Sequence, residues 1–375
     1  MKNVSKYKVE KGILLPLLLM AIISITTIYS AQSLLSNVGN LALRQCIWFG
    51  VGFAIAYGLM IIGNKFLYRN IWIFYAIGIV LLLLLLFFAP TINNAKCWFQ
   101  IPGIGNFQPS EFMKVILIIT LAITLHDFNE KYTSPSVKEE FMLLIKVGII
   151  VGIPSILTFL QPDTGIVLIY LLITIVMLFV SGIRARWFLI LFGGLALAIG
   201  TVVLVYFISQ DLFIKIFGTS FFLRVDRLLD WSNQSGYQLE NALMAIGSGG
   251  LFGHGFNNTP VYFPEPQTDF IFAVFASNYG LIGTLSLIAL LIYFDTKLIS
   301  LAIKSNNNIN KYVIAGIIGM LIYQQIQNIG MTLGLLPITG ITLPFISYGG
   351  SSLLSYMIMA GIIFNISNES LRFTN

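Results

Sequence analysis

Residues 141–182 have the sequence FMLLIKVGIIVGIPSILTFL-QPD-TGIVLIYLLITIVMLFVSG, and this stretch decides the fold class. The apolar runs on the two sides of Gln161-Pro162-Asp163 are each about 20 residues long, which is enough to cross roughly 30 Å of hydrocarbon at about 1.5 Å per residue. Proline interrupts a helix, and a charged residue is costly inside lipid. The stretch therefore predicts two transmembrane helices separated by a short polar break.

The composition extends this conclusion to the whole chain. Of 375 residues, 57% are hydrophobic and only 10% are charged, and the mean hydropathy is +0.88. Soluble proteins carry about 25% charged residues, so this chain has too few charges to cover a surface in water. We expect one all-α polytopic membrane domain over residues 1–375. Its two cysteines, Cys46 and Cys97, lack the number for a disulfide framework and the spacing for a metal site; Cys46, in an apolar run, is expected in the core.

Ten apolar segments along the chain predict about ten transmembrane helices. The first is too long for the apolar part of a typical signal peptide, so we expect it to be retained. The fourth is short and can be partly buried in the bundle; Pro109 precedes it, with Ser110 as the expected helix cap. The segments lie at about 13–33, 43–63, 70–90, 110–126, 141–160, 164–182, 187–208, 269–294, 312–333 and 346–366.

Lysine and arginine are enriched in the cytoplasmic loops of membrane proteins, so their distribution indicates orientation. With the amino terminus inside, 15 of the 21 Lys and Arg residues fall on the inner side. This bias predicts ten crossings of the plasma membrane with both termini cytoplasmic, and it explains the net charge of +6 without a nucleic-acid partner. The six residues on the outer side are Arg44, Lys96, Lys114, Lys215, Arg224 and Arg227.

The one long connection, residues 209–267, lies outside in this topology, between helices 7 and 8. Its residues 221–231 (FFLRVDRLLDW) mix apolar side chains with charges, a pattern typical of a helix in the headgroup plane. Residues 245–255 contain five glycines. Glycine allows a tight bend or a close approach of backbone and ligand, so both uses are open here.

Polar residues at membrane depth are costly, so each outer-side cluster is a functional candidate. The first cluster, 94–100 with 108–114, contains Lys96, Trp98, Glu111 and Lys114. The alternative for Trp98 is an interfacial anchor, and for Glu111 and Lys114 a helix-start charge with its i,i+3 partner. In the second cluster, 161–165, Asp163 can cap the following helix as readily as it can bind a ligand.

The third and fourth clusters follow the long outer connection. In 264–273, Asp269 enters an apolar segment behind two prolines, where it can cap the helix, act as a general base or bind a metal. In 327–352, two prolines and several small residues predict non-helical backbone, which at this depth must be buried in protein or line a cavity. Small residues there can also serve helix packing alone. The metal requirement stays open, and a divalent cation is compatible with the sequence.

Signatures of soluble enzymes do not occur. The chain has no Walker loop, dinucleotide fingerprint, HExxH motif or nucleophile elbow. His126 and His254 are far apart in sequence and fall on opposite sides of the membrane in the predicted topology. The residues by themselves therefore predict an outer-facing polar cavity that contains a carboxylate.

At these four clusters the sequence resembles the SEDS family (shape, elongation, division and sporulation) of cell-wall proteins. The resemblance covers nearly the whole chain and is most specific in 161–165, 245–255, 264–274 and 328–352. Within the family the sequence is more similar to the elongation branch, RodA, than to the division branch, FtsW. The reason is Met331 in Asn328-Ile329-Gly330-Met331, where FtsW proteins usually have valine.

The resemblance implies a peptidoglycan glycosyltransferase that polymerises lipid II, an undecaprenyl-pyrophosphate-linked disaccharide, outside the cytoplasmic membrane. It implies a class B penicillin-binding protein (transpeptidase) and membrane lipids as partners. The family's essential acidic residue matches Asp269, and its tryptophan after helix three matches Trp98. We name as candidate substrate-binding residues Trp98, Lys96, Glu111, Lys114, Asp163, Arg224, Arg227, Gln238, Ser248 and Ser351.

The chain departs from the family pattern at two places. Cys97 stands where the family usually has a basic residue before the tryptophan, and Lys96 is one position away. Ser277-Asn278 stands where the family tends to have an acidic pair. These departures leave the predicted fold intact but make the details of the site differ from the family pattern.

Two other functions are compatible with the resemblance: a flippase that transports lipid II, and a non-catalytic scaffold for a penicillin-binding protein. A flippase needs polar residues through the membrane to accompany a headgroup. Stretches such as 81–88 and 166–180 are almost purely apolar, and the polar clusters lie at the outer ends. This distribution favours chemistry at the outer surface.

Overall fold

A computed structural model describes residues 9–35, 39–91, 96–102, 105–219, 221–222 and 236–373. A short antiparallel hairpin, β1 (Phe99–Ile101) with β2 (Gly105–Phe107), stands between the third and fourth helices and was not expected from the sequence. The helices of these residues are α1 (Lys11–Gln32), α2 (Leu41–Ile62), α3 (Asn64–Phe88), α4 (Pro109–Lys131), α5 (Val137–Leu160), α6 (Thr164–Val180), α7 (Ala185–Ile208), α8 (Gln210–Phe217), α9 (Tyr237–Ser248), α10 (Ile271–Lys304), α11 (Asn308–Thr332) and α12 (Gly350–Phe373).

The ten predicted segments are all helical, as α1 to α7 and α10 to α12. In the described parts of the chain, eight of these helices are long and apolar enough to cross a membrane. The other two are α6, a shorter apolar helix of 17 residues, and α4, of 23 residues. Most of α4 between residues 109 and 125 is buried. The prediction that the fourth segment lies partly inside the bundle is therefore confirmed.

The most buried helices, α4, α11 and α12, pack against one another and form the centre of the bundle. Around them, α2 packs on α12, α3 on α4, α6 and α10 on α11, and α1 on α10. Large apolar side chains on the outward faces of the surrounding helices are exposed, as a surface in lipid requires. Helix α7 is the extreme case because none of its residues is buried.

Two local predictions are wrong. The cap of α4 is Gln108, with Pro109 as the first helical residue, and Ser110 lies inside the helix and is buried. Proline fits that position because its missing N–H would have no intrahelical partner there. Cys46 is exposed, because α2 buries only a narrow face and an apolar run does not indicate which face meets lipid. Cys97 is buried, and its thiol donates to the carbonyl of Gln161 (3.0 Å).

Helix α10 is broken at Gly280, whose backbone (φ 63°, ψ −164°) is not helical. The glycine-rich segment 249–255 lies against the break and restores its backbone hydrogen bonding, as a broken membrane helix requires. These N–H to carbonyl bonds run from His254 to Ser277 (2.9 Å), from Gly255 to Asn278 (3.0 Å), from Leu281 to Gly250 (2.9 Å) and from Ile282 to Leu251 (3.2 Å).

The close approach that the glycines permit is therefore with the protein's own helix. Gly253 adopts φ 78°, and a Cβ at this position would collide with the backbone of Asn278. Gly280 faces the same contact from the other side, against Leu251. The sequence left open whether the glycines allow a tight bend or a close approach to a ligand. In the structure they form a tight bend that packs on α10.

Residues 333–349 connect α11 to α12 without helical structure, and we call them the connecting loop. As predicted, part of this non-helical backbone is buried in protein: residues 341–347 are mostly buried, with Leu343, Ile346 and Ser347 almost inaccessible. Leu335 and Ile338, earlier in the loop, are exposed. Side chains of the first two helices satisfy its carbonyls: Ser24 donates to that of Ile346 (2.7 Å) and Gln45 to that of Ser347 (3.2 Å). The predicted headgroup-plane helix at 221–231 lies largely outside the described residues.

Candidate active site

Three of the four predicted clusters meet where α4, α6 and α12 begin. The indole N–H of Trp98 donates to the amide oxygen of Gln108 (3.0 Å), and the amide nitrogen of Gln108 donates to Asp163 (2.9 Å). The backbone N–H of Gln108 donates to the hydroxyl of Ser351 (2.9 Å). Gln108 therefore joins clusters that are more than 50 residues apart in sequence.

Asp163 has the first of the two roles that the sequence left open, the cap of the following helix. One carboxylate oxygen caps α6 by accepting from the N–H of Ile166 (3.3 Å), and the other accepts from Gln108. Burial raises the pKa of Asp163 to about 6, with a smaller contribution from the nearby Glu111 carboxylate. The hydrogen bond from Ile166 opposes this increase. Asp163 is therefore a carboxylate that can change protonation state close to neutral pH.

Glu111 and Lys114 form an ion pair inside the bundle. Lys114 Nζ lies 2.6 Å from Glu111 Oε2, and the lysine side chain has no exposed surface. The ammonium also lies 5.0 Å from the centre of the Tyr356 ring, a distance typical of a cation–π contact. This geometry matches the i,i+3 alternative for the two residues, because the ammonium is not accessible to a ligand in this structure.

The third cluster presents Asp269 on a rigid turn before α10. The helix begins at Ile271 with Phe270 as its cap residue, so Asp269 does not cap it. The Asp269 carbonyl accepts a hydrogen bond from the buried amide of Asn328 (2.8 Å). Within the part of the chain that the structure describes, no hydrogen bond or ion pair engages the Asp269 carboxylate.

The pKa of Asp269 is raised to about 7, chiefly because burial penalises the charged form and secondarily because Glu265 is near. Part of the side chain remains accessible. Glu265, by contrast, is exposed and accepts from the side chains of Gln267 (2.9 Å) and Thr268 (2.8 Å). Its carboxylate therefore holds the turn together, whereas that of Asp269 has no hydrogen-bond partner among the described residues.

The connecting loop passes close to both Asp163 and Asp269. A Cβ on Gly165, two residues after Asp163, would lie 2.9 Å from the carbonyl oxygen of Thr339. A Cβ on the next residue of the loop, Gly340, would lie 3.6 Å from Oδ2 of Asp269. Residues 339–340 thus lie between Gly165 and Asp269, so the four clusters are at the same end of the bundle.

The other candidate residues have more peripheral positions. Gln238 on α9 donates to the carbonyl of Pro264 (3.1 Å) and so braces the turn that carries Asp269. Ser248 pairs with the ring of His254 (2.9 Å) on the glycine-rich segment. Lys96 is exposed next to Trp98. Arg224 and Arg227 lie outside the described residues.

Several buried polar contacts inside the bundle were not predicted from the sequence. Gln324 donates to the hydroxyl of Tyr356 (2.9 Å), and Tyr170 donates to the carbonyl of Ser110 (2.8 Å). Deeper in α10, the buried Asp295 accepts from Gln325 (3.4 Å). Each of these residues is a polar residue within an apolar segment. This pattern could have identified them, but the polar clusters at the outer ends of the helices are more conspicuous in the sequence.

A metal site is not evident among the described residues, because no three His, Cys, Asp or Glu side chains there come together as ligands. Within the described ranges, the acidic residue that influences Asp269 is Glu265.

These features define a multi-pass helical membrane protein with its polar clusters gathered at one end of the bundle. The chain belongs to the FtsW, RodA and SpoVE family of cell cycle proteins, whose pattern matches residues 10–372. It is 36% identical over 340 residues to the probable peptidoglycan glycosyltransferase FtsW of Coxiella burnetii, covering 88% of this chain and 86% of that protein.

Two solved structures have the same fold along almost the full length of the chain. One belongs to a study of polymerization and crosslinking by a peptidoglycan synthase complex; its TM-score is 0.79 at 25% identity, over 97% of this chain and 99% of that chain. The other is the rod shape determining protein RodA of Thermus thermophilus, with a TM-score of 0.69 at 26% identity over 96% of both chains.

Proposed function

We propose that this protein is a peptidoglycan glycosyltransferase that polymerises lipid II into glycan strands at the outer face of the cytoplasmic membrane. Relatives named as probable peptidoglycan glycosyltransferases support the reaction class. The observation that carries the proposal is the carboxylate of Asp269, held on a fixed turn, free of partners among the described residues and with its pKa raised to about 7.

In the proposed reaction Asp269 is the general base. An acceptor sugar hydroxyl attacks the anomeric carbon of the donor and forms the new glycosidic bond, while the bond from that carbon to the lipid pyrophosphate breaks. The hydroxyl proton passes to Asp269, and the pyrophosphate leaves with the bonding electron pair. A base with a pKa near the working pH suits such a transfer.

Charge develops on the pyrophosphate, so a cation near it stabilises the transition state. Among the described residues, the exposed Lys96 fits this role better than the ion-paired Lys114. Arg224 and Arg227 remain candidates from the sequence. Trp98, two residues after Lys96 in the chain, offers an aromatic face to sugar or lipid.

We propose a role in cell elongation, because Met331 follows Asn328-Ile329-Gly330 as in the RodA branch. The relative from Coxiella burnetii is named FtsW, after the division branch, so the proposed role rests on this motif. We further propose a single membrane domain with both termini cytoplasmic and residues 209–267 outside, on the distribution of Lys and Arg. A class B penicillin-binding protein is the proposed partner, supported by likeness to a chain from a peptidoglycan synthase complex.

The alternative of a lipid II flippase is less well supported by the deep polar groups. Lys114 is paired with Glu111 on the same helix and lies over the ring of Tyr356 on α12. The buried Asp295 on α10 accepts from Gln325 on α11. Such contacts hold helices together, whereas a transport path needs polar groups free to accompany a headgroup.

The test is an assay of the purified full-length chain with lipid II and no other polymerase, with and without a class B penicillin-binding protein. Glycan chains of several disaccharides are the expected product. Movement of lipid II across vesicles without any polymer would favour the flippase. Absence of polymer in both arms, with the chain folded, would refute the enzyme proposal.

A further inference from the structure

Asn328 is a fully buried side chain on α11 that contacts the turn carrying Asp269. Its amide nitrogen donates to two carbonyls, that of Asp269 (2.8 Å) and that of Ile341 in the connecting loop (2.7 Å). Only the NH2 end of the amide can donate to both, so the two bonds fix its orientation. Asn328 thus ties the turn to the connecting loop through a single side chain.

Ser347, at the other end of the connecting loop, repeats this arrangement. Its hydroxyl donates to the carbonyl of Thr268 (2.7 Å) and accepts from the N–H of Leu343 (2.8 Å). The backbone N–H of Tyr348 donates to the carbonyl of Gln267 (2.8 Å). Three successive carbonyls, at residues 267 to 269, are therefore held from outside the turn.

The turn is also fixed from within. The N–H groups of Thr268 and Phe270 both donate to the carbonyl of Glu265 (3.3 and 3.2 Å). Glu265 itself has φ 53°, a conformation that L-residues adopt only when their surroundings impose it. The backbone around Asp269 is therefore over-determined, while its carboxylate is left without a partner in the described structure.

We propose that Asn328 and Ser347 are positioning residues, which set the place of the Asp269 carboxylate by holding the backbone on which it stands. This inference rests on the proposed function of Asp269. Neither side chain needs to touch a substrate, because both act on main-chain carbonyls. A displacement of about 1 Å at a reacting group can cost on the order of 100-fold in rate, so loss of these bonds should be expressed mainly in kcat.

The first test is Asn328→Leu, which keeps the side-chain volume and removes both donors. We expect kcat for glycan-chain synthesis by the purified full-length protein to fall about 10–100-fold, with KM for lipid II changed by less than about threefold. The acid limb of the pH–rate profile should also move, because the surroundings of the Asp269 carboxylate change. A purely structural role would lower the melting temperature and leave the acid limb in place.

Asn365→Leu is the matched control at the opposite end of the bundle. Asn365 is likewise buried, and its amide donates to the carbonyl of Leu59 (2.8 Å) and to Asn64 (2.9 Å). The variant Asn365→Leu should lower the melting temperature and leave kcat of the folded fraction unchanged. An equal loss of kcat in both variants, or full kcat with an unmoved acid limb in Asn328→Leu, would overturn the inference.

A second pair of variants covers the case in which Asn328→Leu does not fold. Ser347→Ala should lower kcat, and Ser347→Thr, which keeps the hydroxyl, should restore it; equal activity of the two would also overturn the inference. Asp269→Asn separates the two levels of the argument. Activity in Asp269→Asn contradicts the proposed base, whereas an inactive Asp269→Asn with normal Asn328 and Ser347 variants contradicts positioning alone.

Discussion

Replacing Asp269 with asparagine removes the proposed base and preserves the shape of the side chain. Positioned general bases contribute about 10²–10⁴-fold, so Asp269→Asn should lose roughly that much of the polymerisation rate. In the wild-type protein, the rate should rise with pH up to about 7, where the carboxyl loses its proton. The variant should lose this acid limb together with the activity.

The same substitution should not destabilise the protein, since Asp269 caps no helix and its carboxylate is without a hydrogen bond in the described structure. The carboxyl has a higher pKa folded, about 7, than its ordinary value of 3.8. The folded state therefore loses stability as pH rises between these values. The difference corresponds to a ceiling of about 4 kcal/mol, which solvent screening of this partly accessible group reduces to about 1–2 kcal/mol. Asp269→Asn should accordingly be at least as heat-stable as wild type at pH 8, and the two should converge near pH 4.

The assay measures glycan chains made from lipid II by purified variants, with thermal unfolding followed on the same samples. Glu265→Gln is the control, because its amide oxygen can still accept hydrogen bonds within the turn; we expect its rate within a few-fold of wild type. Near-normal polymerisation by a folded Asp269→Asn, or loss of activity only in Glu265→Gln, would refute the reasoning.

Three further outcomes are expected. A cysteine introduced at Asn258 should react with a membrane-impermeant reagent from outside and one at Asn307 should not, and the reverse pattern would contradict the orientation derived from charge. Trp98→Ala should lower the polymerisation rate about 10-fold or more by removing both the aromatic face and the bond to the Asp163 network, with Trp98→Phe retaining more; full activity in Trp98→Ala would remove it from the site. Lys114→Met should lose about 3–5 kcal/mol of unfolding free energy by leaving Glu111 buried and unpaired, and the double variant with Glu111→Gln should recover much of it in chemical unfolding; equal stability of single and double variants would show that the pair is not coupled.

Some of the site could be recognised from single residues. Asp269 was identified because it follows two prolines at the edge of an apolar segment, and Asp163 because it interrupts two spans. Gln108 was visible as part of a polar stretch, but nothing in its own neighbourhood indicated that it would join Trp98 to Asp163. Asn328 is a comparable case, since its role depends on two carbonyls that are distant in the chain.

The sequence by itself determined the membrane class, the ten helical segments and the places where polar groups gather, because the cost of exposing polar groups to lipid acts on each segment separately. Which faces of the helices are buried, as Cys46 illustrates, and which clusters meet were decided only by the tertiary structure. The Gly280 break depends on the glycine-rich segment for its hydrogen bonds, and the turn of Asp269 on α11 and the connecting loop. Packing between distant segments creates these contacts, and no local pattern of residues contains that information.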